Sequence, residues 1–141
     1  MPVNLEVLKD CKYRIYINHE DKDIYEQLKE MLAVKKSKYT VCLGLSEFIA
    51  NFSYVGEFQT KRIDNNNEMI DIETIIPFNG DVNVKIEGNR EYLKDTVYNE
   101  MNEKREITEF ITLLYERTGK SIKCDISTYY ELESGDKIVF F

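Results

Sequence analysis

Few side chains in this 141-residue chain could carry out catalysis or bind a metal. His19 is the single histidine, and its neighbours supply neither the nucleophile nor the orienting carboxylate that a triad needs. No Cys or His pair has the spacing of a zinc site, and no phosphate-binding glycine loop occurs. Glu100 and Glu103 are three residues apart, which is only a weak signal for magnesium or acid–base chemistry. The residues therefore predict no enzyme, no metal and no cofactor.

Aromatic and basic residues suggest a second kind of chemistry, contact with RNA. Exposed Tyr or Phe side chains on a sheet can stack on bases, and Tyr13, Tyr16 and Phe58 are the candidates. The glycine-containing signature of RNA-recognition strands is absent, so core packing explains most of the aromatic residues. A basic cluster next to Tyr39 consists of Lys35, Lys36 and Lys38. It could contact a phosphate or an acidic partner, although lysines are also common at the solvated C-terminal end of a helix, where cations suit the dipole.

The elements that would position these residues begin with a strand and a helix. Tyr13–Ile17 has the alternation and the β-branched and aromatic content of a strand. Asp21 or Asp23 can cap the helix that follows. The helix has an apolar face with 3.6-residue periodicity: Ile24, Leu28, Met31 and Leu32.

Gly44 lies at a break in the pattern, where a residue without Cβ can adopt backbone angles that others avoid. Ser46 is a helix cap, and Glu47 places a negative charge in the first turn. A short second helix is predicted from an apolar stripe: Leu45, Phe48, Ile49 and Phe52.

The rest of the chain has a β pattern. Ser53–Ile63 is predicted to form a strand with a bulge at Gly56. Residues 64–67 are predicted to form a loop. Ile70–Ile76 alternates, ends at Pro77 and is predicted to form a hairpin with Val82–Ile86 through Asn79-Gly80. Residues 88–104 are ambiguous: Tyr92, Leu93 and Val97 could face inward from a helical turn, but the density of Asn and Glu favours a loop. Further strands are predicted over Ile107–Tyr115, 122–126, 129–133 and 137–141, separated by turns at Thr118-Gly119 and 134–136.

Composition limits the class of protein. Hydrophobic residues make up 43% of the chain, enough for one folded domain over residues 1–141. The net charge is −7. Residues 1–63 carry 10 Lys and Arg against 9 Asp and Glu, and residues 64–141 carry 9 against 17. This acidity weakens the case for RNA binding, which is largely electrostatic. Sparse cysteines, no long apolar run and no signal-peptide pattern predict a soluble cytoplasmic protein.

Three segments, in order, resemble the fifth Cas family in its type I-B form. They are Leu8-Lys9-Asp10-Cys11-Lys12-Tyr13-Arg14-Ile15-Tyr16-Ile17, then Tyr39-Thr40 with Leu43-Gly44-Leu45-Ser46-Glu47-Phe48, then Gly119-Lys120-Ser121-Ile122-Lys123 with the terminal Ile138-Val139-Phe140-Phe141. The resemblance covers nearly the whole chain but only about the second half of such a protein. The family's opening strand, the glycine-rich helix after it and the arm that grips RNA have no counterpart.

The resemblance implies a fold and a set of partners. The family holds the 5′ handle of the guide RNA in the Cascade complex. The predicted class is α+β: residues 1–63 as half of a ferredoxin-like, RNA-recognition-like unit (strand, helix, strand) and residues 64–141 as an antiparallel β extension. Half of a ferredoxin-like sheet leaves an unpaired edge or an exposed apolar face, which a partner would cover. In the family, this half contacts the large subunit and other Cascade subunits.

Three functions are compatible with these observations. The first is a decoy that binds the Cascade large subunit, with the backbone subunit as a further contact, and blocks assembly as an anti-CRISPR mimic. The second is a genuine or split Cascade subunit that holds guide RNA, and the third is a small RNA-processing nuclease. A homodimer could also cover an exposed face. The protein contacts are placed on strand edges and on the segment around Gly44: Tyr13, Tyr16, Leu43, Leu45, Phe48, Phe52, Tyr54 and Phe58.

Overall fold

The computed structural model describes residues 12–43 and 48–141, which fall into two compact units, residues 1–56 and 57–141. The described residues of the first unit contain one helix, α1 (Lys22–Ala33). The second contains eight strands: β1 (Thr60–Asp64), β2 (Ile70–Ile72), β3 (Ile76–Pro77), β4 (Tyr92–Met101), β5 (Ile107–Glu116), β6 (Ile122–Cys124), β7 (Thr128–Leu132) and β8 (Lys137–Ile138). The α+β class with antiparallel strands is confirmed; the ferredoxin-like arrangement is not.

Helix α1 is capped by Asp21, one of the two candidates. The Asp21 carboxylate accepts hydrogen bonds from the N–H groups of Asp23 at 2.9 Å and Ile24 at 3.2 Å, which satisfies two otherwise unpaired donors of the first turn. The predicted apolar face is only partly covered, because Leu28, Met31 and Leu32 are half-buried and Ile24 is exposed. No residue of α1 is fully buried.

The C-terminal end of α1 is closed by a Schellman motif. The Lys35 N–H bonds to the Leu32 carbonyl at 3.1 Å, and the Lys36 N–H bonds to the Met31 carbonyl at 2.8 Å. Lys35 has a φ of 54°, in the left-handed region where glycine is usual. A lysine at this position carries a steric cost that the two hydrogen bonds offset.

We expect Lys35→Gly to stabilise α1, because glycine has no Cβ to clash at positive φ. The gain should be about 0.5–1 kcal/mol, which slows amide hydrogen exchange in α1 by about two- to fivefold. The matched control is Lys38→Gly, since Lys38 is also exposed but does not have a positive φ. Faster exchange in the Lys35→Gly variant than in the wild type would show that the left-handed cap is not formed.

Two predictions in the first unit are wrong. Residues 12–18 form neither helix nor strand, so the predicted strand Tyr13–Ile17 is absent. Residues 48–52 are not helical, because Ile49 pairs with Cys42 in an antiparallel bridge. The Leu43 N–H bonds to the Phe48 carbonyl at 2.9 Å, and the Ala50 N–H bonds to the Val41 carbonyl at 2.8 Å. Backbone hydrogen bonds between these two segments replace the i to i+4 hydrogen bonds of a helix. The predicted break and cap (Gly44, Leu45, Ser46 and Glu47) lie outside the described residues.

The second unit is built from three small antiparallel sheets, with orders β1-β7-β8, β2-β6 and β3-β5-β4. Of the predicted strand Ser53–Ile63, only the last part is a strand, since β1 starts at Thr60; Gly56 lies before it and forms no bulge. Strands β5 and β6, and the turn at Thr118-Gly119 between them, are confirmed. Gly119 has a φ of 75°, which a glycine adopts without strain.

The predicted hairpin between Ile70–Ile76 and Val82–Ile86 is wrong. Both segments instead flank β6: Ile70 is paired with Cys124 on one side, and Val84 bridges Cys124 on the other. Short strands that share one central partner bury more apolar surface than an isolated two-stranded hairpin can. The loop predicted over 88–104 is also wrong, because Tyr92–Met101 forms β4 and pairs along its length with β5.

The core of the second unit lies where the three sheets meet. Its buried residues come from β2, β3, β5, β6 and β7 and from the connection after β6: Ile72, Ile76, Leu114, Ile122, Cys124, Ile126 and Tyr129. Partly buried residues pack around them, including Ile63, Phe78, Val84 and Tyr92. Among the described residues, no helix is long and apolar enough to cross a bilayer.

We expect the Cys124 thiol to react only when the second unit opens. The side chain is fully buried, and burial raises the pKa of the thiol, so the reactive thiolate is scarce. In a Cys11→Ser, Cys42→Ser variant, labelling by a thiol reagent should be at least about a hundredfold slower in buffer than in denaturant. Rapid labelling in buffer would contradict the placement of β6 in the core.

Candidate functional site

Five of the eight predicted protein contacts are exposed. Tyr13, Leu43, Phe48 and Tyr54 in the first unit and Phe58 in the second are each at least 37% exposed. Tyr16 and Phe52 are half-buried, and Leu45 lies outside the described residues. Large apolar side chains this exposed are candidates for contact with another macromolecule.

A short hairpin in the first unit brings two of these residues together. Its two described strands, 41–43 and 48–50, are held by the Cys42–Ile49 bridge, and the Leu43 N–H donates to the Phe48 carbonyl. Val41 and Ile49 are exposed in the same hairpin, although the sequence pattern assigned Ile49 to a buried helical stripe. We call these residues (Val41, Leu43, Phe48 and Ile49) the apolar hairpin.

The basic cluster follows the end of α1, as predicted. Lys35, Lys36 and Lys38 are all exposed, and the Lys38 ammonium lies 5.7 Å from the centre of the exposed Tyr39 ring. The Ser37 hydroxyl donates to the Tyr39 carbonyl at 2.6 Å and so constrains this turn. An open depression beside it is lined by side chains of the last helical turn and its cap: Glu30, Met31, Ala33, Val34 and Lys36.

His19 has a structural role in the described residues. Its Nδ1 accepts a hydrogen bond from the Asp21 N–H at 3.0 Å, just before the cap of α1. The ring is exposed. Within residues 12–43 and 48–141, no group of three His, Cys, Asp or Glu side chains is arranged to hold a metal ion.

Glu116 has a role that no local sequence pattern indicates. This side chain is 6% exposed at the end of β5. Its carboxylate accepts hydrogen bonds from the Lys120 N–H at 3.0 Å, from the Thr118 N–H at 2.8 Å and hydroxyl at 2.7 Å, and from the Glu91 N–H at 3.3 Å. These donors, the Lys120 N–H first, outweigh the opposing effect of burial and lower the pKa of Glu116 to about 2. The carboxylate therefore fixes the β5–β6 turn and is committed to structure.

A second carboxylate holds the segment on the other side of β6. Asp125 accepts from the Asn83 side-chain amide at 2.6 Å and from the Asn83 N–H at 2.7 Å, and these bonds lower its pKa. Glu116 and Asp125 therefore both hold neighbouring backbone segments in place.

Comparisons of the chain with protein-family models, with curated proteins and with solved structures found no match. The functional interpretation consequently depends on surface chemistry and on the resemblance carried by the three segments described above. The first unit presents exposed apolar and basic side chains. The second has a buried core, and its carboxylates Glu116 and Asp125 accept hydrogen bonds that hold neighbouring backbone segments.

Proposed function

We propose that this chain is a non-catalytic protein-binding module that occupies a docking site on type I-B Cascade subunits and blocks assembly of the complex. The observation that carries the proposal is the set of exposed apolar side chains in the first unit, above all the apolar hairpin. Surfaces of this kind are costly to leave in water and are typical of protein contacts. The resemblance to the later half of the fifth Cas family supplies the identity of the partner.

The large subunit is the proposed target, with the backbone subunit as a second contact. In the resembled family, the later half of the protein faces these neighbours while the earlier half holds RNA. The segments that resemble the later half would compete for the same contact. The net charge of −7 supports this view, because an acidic protein repels nucleic acid at long range.

A genuine or split Cascade subunit is the second candidate function. The basic cluster favours it, because its three exposed lysines could contact an RNA phosphate and the adjacent exposed Tyr39 ring could stack on a base. In this case a complementary chain would supply the missing half. The two functions differ in whether guide RNA accompanies the protein in the complex.

We expect the tagged chain to capture the isolated large subunit in a pull-down. The triple variant Tyr13→Ala, Phe48→Ala, Tyr54→Ala should lose at least about tenfold in affinity. The reason is that truncating an aromatic side chain that becomes buried in an interface typically costs more than about 1 kcal/mol of binding free energy. Ile86→Ala is the control, since Ile86 is 67% exposed but lies in the second unit. Equal capture by the triple variant and the wild type would remove the first unit as the contact surface.

The lysines separate the two candidate functions. We expect Lys35→Ala, Lys36→Ala, Lys38→Ala to leave capture of the large subunit unchanged if the chain is a decoy. A subunit that holds RNA would lose bound guide RNA in the same variant, with a weaker dependence of binding on salt. Co-purification of the wild-type chain with guide RNA in a complete, active complex would overturn the decoy.

A further inference from the structure

The outer half of the β4–β5 hairpin exposes an aromatic pair. Tyr98 and Phe110 are directly opposite each other in the register, with ring centres 5.8 Å apart in an edge-to-face arrangement. Tyr98 is 66% exposed and Phe110 is 59% exposed. The pair therefore stabilises the ribbon internally while leaving most of both rings in water. The sequence pattern predicted a loop over Tyr98 and gave no sign of this surface.

Strand β4 also presents an open edge, because it is the outer strand of the β3-β5-β4 sheet. The Phe78 N–H donates to the Thr112 carbonyl at 2.8 Å, so the backbone groups of Thr112 point away from β4. Thr96 is directly opposite Thr112, and in such a pair the backbone groups of both residues point outward. The Thr96 N–H accordingly bonds to the Asp95 carboxylate at 2.8 Å, outside the ladder.

The same alternation places two more residues on this edge. Lys94 and Tyr98, two positions before and after Thr96, direct their N–H and carbonyl groups to the open side of β4. The register shift begins only after Tyr98. An incoming strand would therefore meet the outward-facing backbone N–H and carbonyl groups of three alternate residues, Lys94, Thr96 and Tyr98, with the aromatic pair on one face of the ribbon.

The charge of the hairpin indicates what kind of strand would fit. Residues 94–109 contain five carboxylates and three cations, one of which, Lys94, lies on the open edge. Glu100 is directly opposite Glu109, an unfavourable like-charge pair. Asn99 and Asn102 donate to Glu109 at 2.7 Å and Glu106 at 2.8 Å. In the part of the chain that the structure describes, no Lys or Arg lies within salt-bridge distance of these carboxylates.

We propose that the open edge of β4 accepts an extended, Lys- or Arg-rich segment of a partner protein as an added strand. Backbone hydrogen bonds to β4 supply affinity, an apolar side chain of the partner covers Tyr98 and Phe110, and its cations neutralise the hairpin carboxylates. A second copy of this chain is less favoured, because the hairpin is net acidic and two copies would repel each other. The proposal is independent of the proposed Cascade target, since it concerns the other unit of the chain.

The test is an NMR titration of the ¹⁵N-labelled full chain with a ten-residue peptide that alternates Lys and Val. We expect saturable shifts at the Lys94, Thr96 and Tyr98 amides, weakening as NaCl is raised. A matched peptide that alternates Glu and Val should bind at least about tenfold more weakly. Equal binding of the two peptides, shifts confined to other residues, or no shifts up to about 1 mM peptide would overturn the proposal.

Two variants at one position test the edge itself. Thr96→Pro removes the outward N–H without removing a β4–β5 hydrogen bond, and should weaken the Lys peptide by about tenfold or more. Thr96→Ala keeps that N–H and loses only the hydroxyl contact with Thr112, so its affinity should stay within about twofold of wild type. The spectra of the free variants report whether the hairpin is intact. Concentration-dependent shifts at the β4 edge without peptide would instead favour a second copy and overturn the proposal.

Discussion

Ile72→Ala is expected to destabilise the second unit by about 2–5 kcal/mol, the typical cost of truncating a fully buried Ile. Ile72 is 0% exposed in β2, is paired in register with the buried Ile122, and packs in the core where the sheets meet. Its loss leaves a cavity that short strands held in register cannot easily collapse to fill. The urea midpoint, followed by tyrosine fluorescence, should fall by about 1 M or more.

The matched control for this prediction is Ile86→Ala. Ile86 is 67% exposed in the same unit, so its truncation should change the free energy of unfolding by no more than about 0.5 kcal/mol. The two variants remove the same atoms, and their difference therefore measures burial alone. Equal midpoints for the two variants would show that the core is not centred on β2 and β6.

Glu116→Gln is expected to lower the Tm by about 5 °C or more, because a neutral amide cannot accept hydrogen bonds from all of the donors that surround this position. The amide NH₂ would face either the Glu91 N–H or the donors of Thr118 and Lys120. The β5–β6 turn should loosen as a result. Glu133→Gln is the control: Glu133 is exposed in the turn before β8, and its replacement should shift the Tm by less than about 2 °C.

Acid unfolding should separate the same two variants. The pKa of Glu116 is about 2 in the folded chain, below its ordinary value of 4.5, so the unfolded chain binds this proton more readily. The stabilisation from Glu116 is therefore fully present above about pH 4.5 and is lost as the pH falls toward 2. We expect Glu116→Gln to flatten the acid limb of the stability curve and Glu133→Gln to leave it unchanged. Parallel acid limbs for Glu116→Gln and wild type would contradict the assigned hydrogen bonds.

Local signals in the sequence were sufficient for the elements whose boundaries depend on neighbouring residues. The Asp21 cap of α1, the strand Ile107–Tyr115 and the glycine turn at Gly119 were all predicted, because capping, alternation and positive φ are properties of a few adjacent residues. The charge difference between the two parts of the chain was likewise read directly from composition.

Strand pairing could not be predicted in the same way. The alternation of Val82–Ile86 predicts a strand but not its partner, and β6 provides a better one than the adjacent Ile70–Ile76. Strand β4 was missed because its turn has Arg105, with a φ of 64°, where a hairpin turn usually shows Gly or Asn. Its Asn and Glu residues face solvent on an exposed ribbon, so a polar composition concealed a strand.

The candidate contacts were partly predictable. Exposed aromatic and apolar residues in the first unit were identified from the expectation of an unpaired sheet edge, although the predicted strand Tyr13–Ile17 does not form. Their exposure arises instead from irregular backbone and the apolar hairpin. The Glu116 cluster was not predictable, because its donors are backbone N–H groups that a turn brings together in space.

We propose that this chain binds Cascade subunits in place of a guide-holding subunit. The most direct measurement is assembly of type I-B Cascade from purified subunits and guide RNA, followed by size-exclusion chromatography, with the chain added before or after the subunits are mixed. When the chain is added before mixing, we expect the amount of RNA-loaded complex to fall in proportion to the amount of chain added. The chain should then elute with the large subunit in a stable complex that contains no RNA. Undiminished assembly, or incorporation of the chain into an active RNA-loaded complex, would contradict the claim.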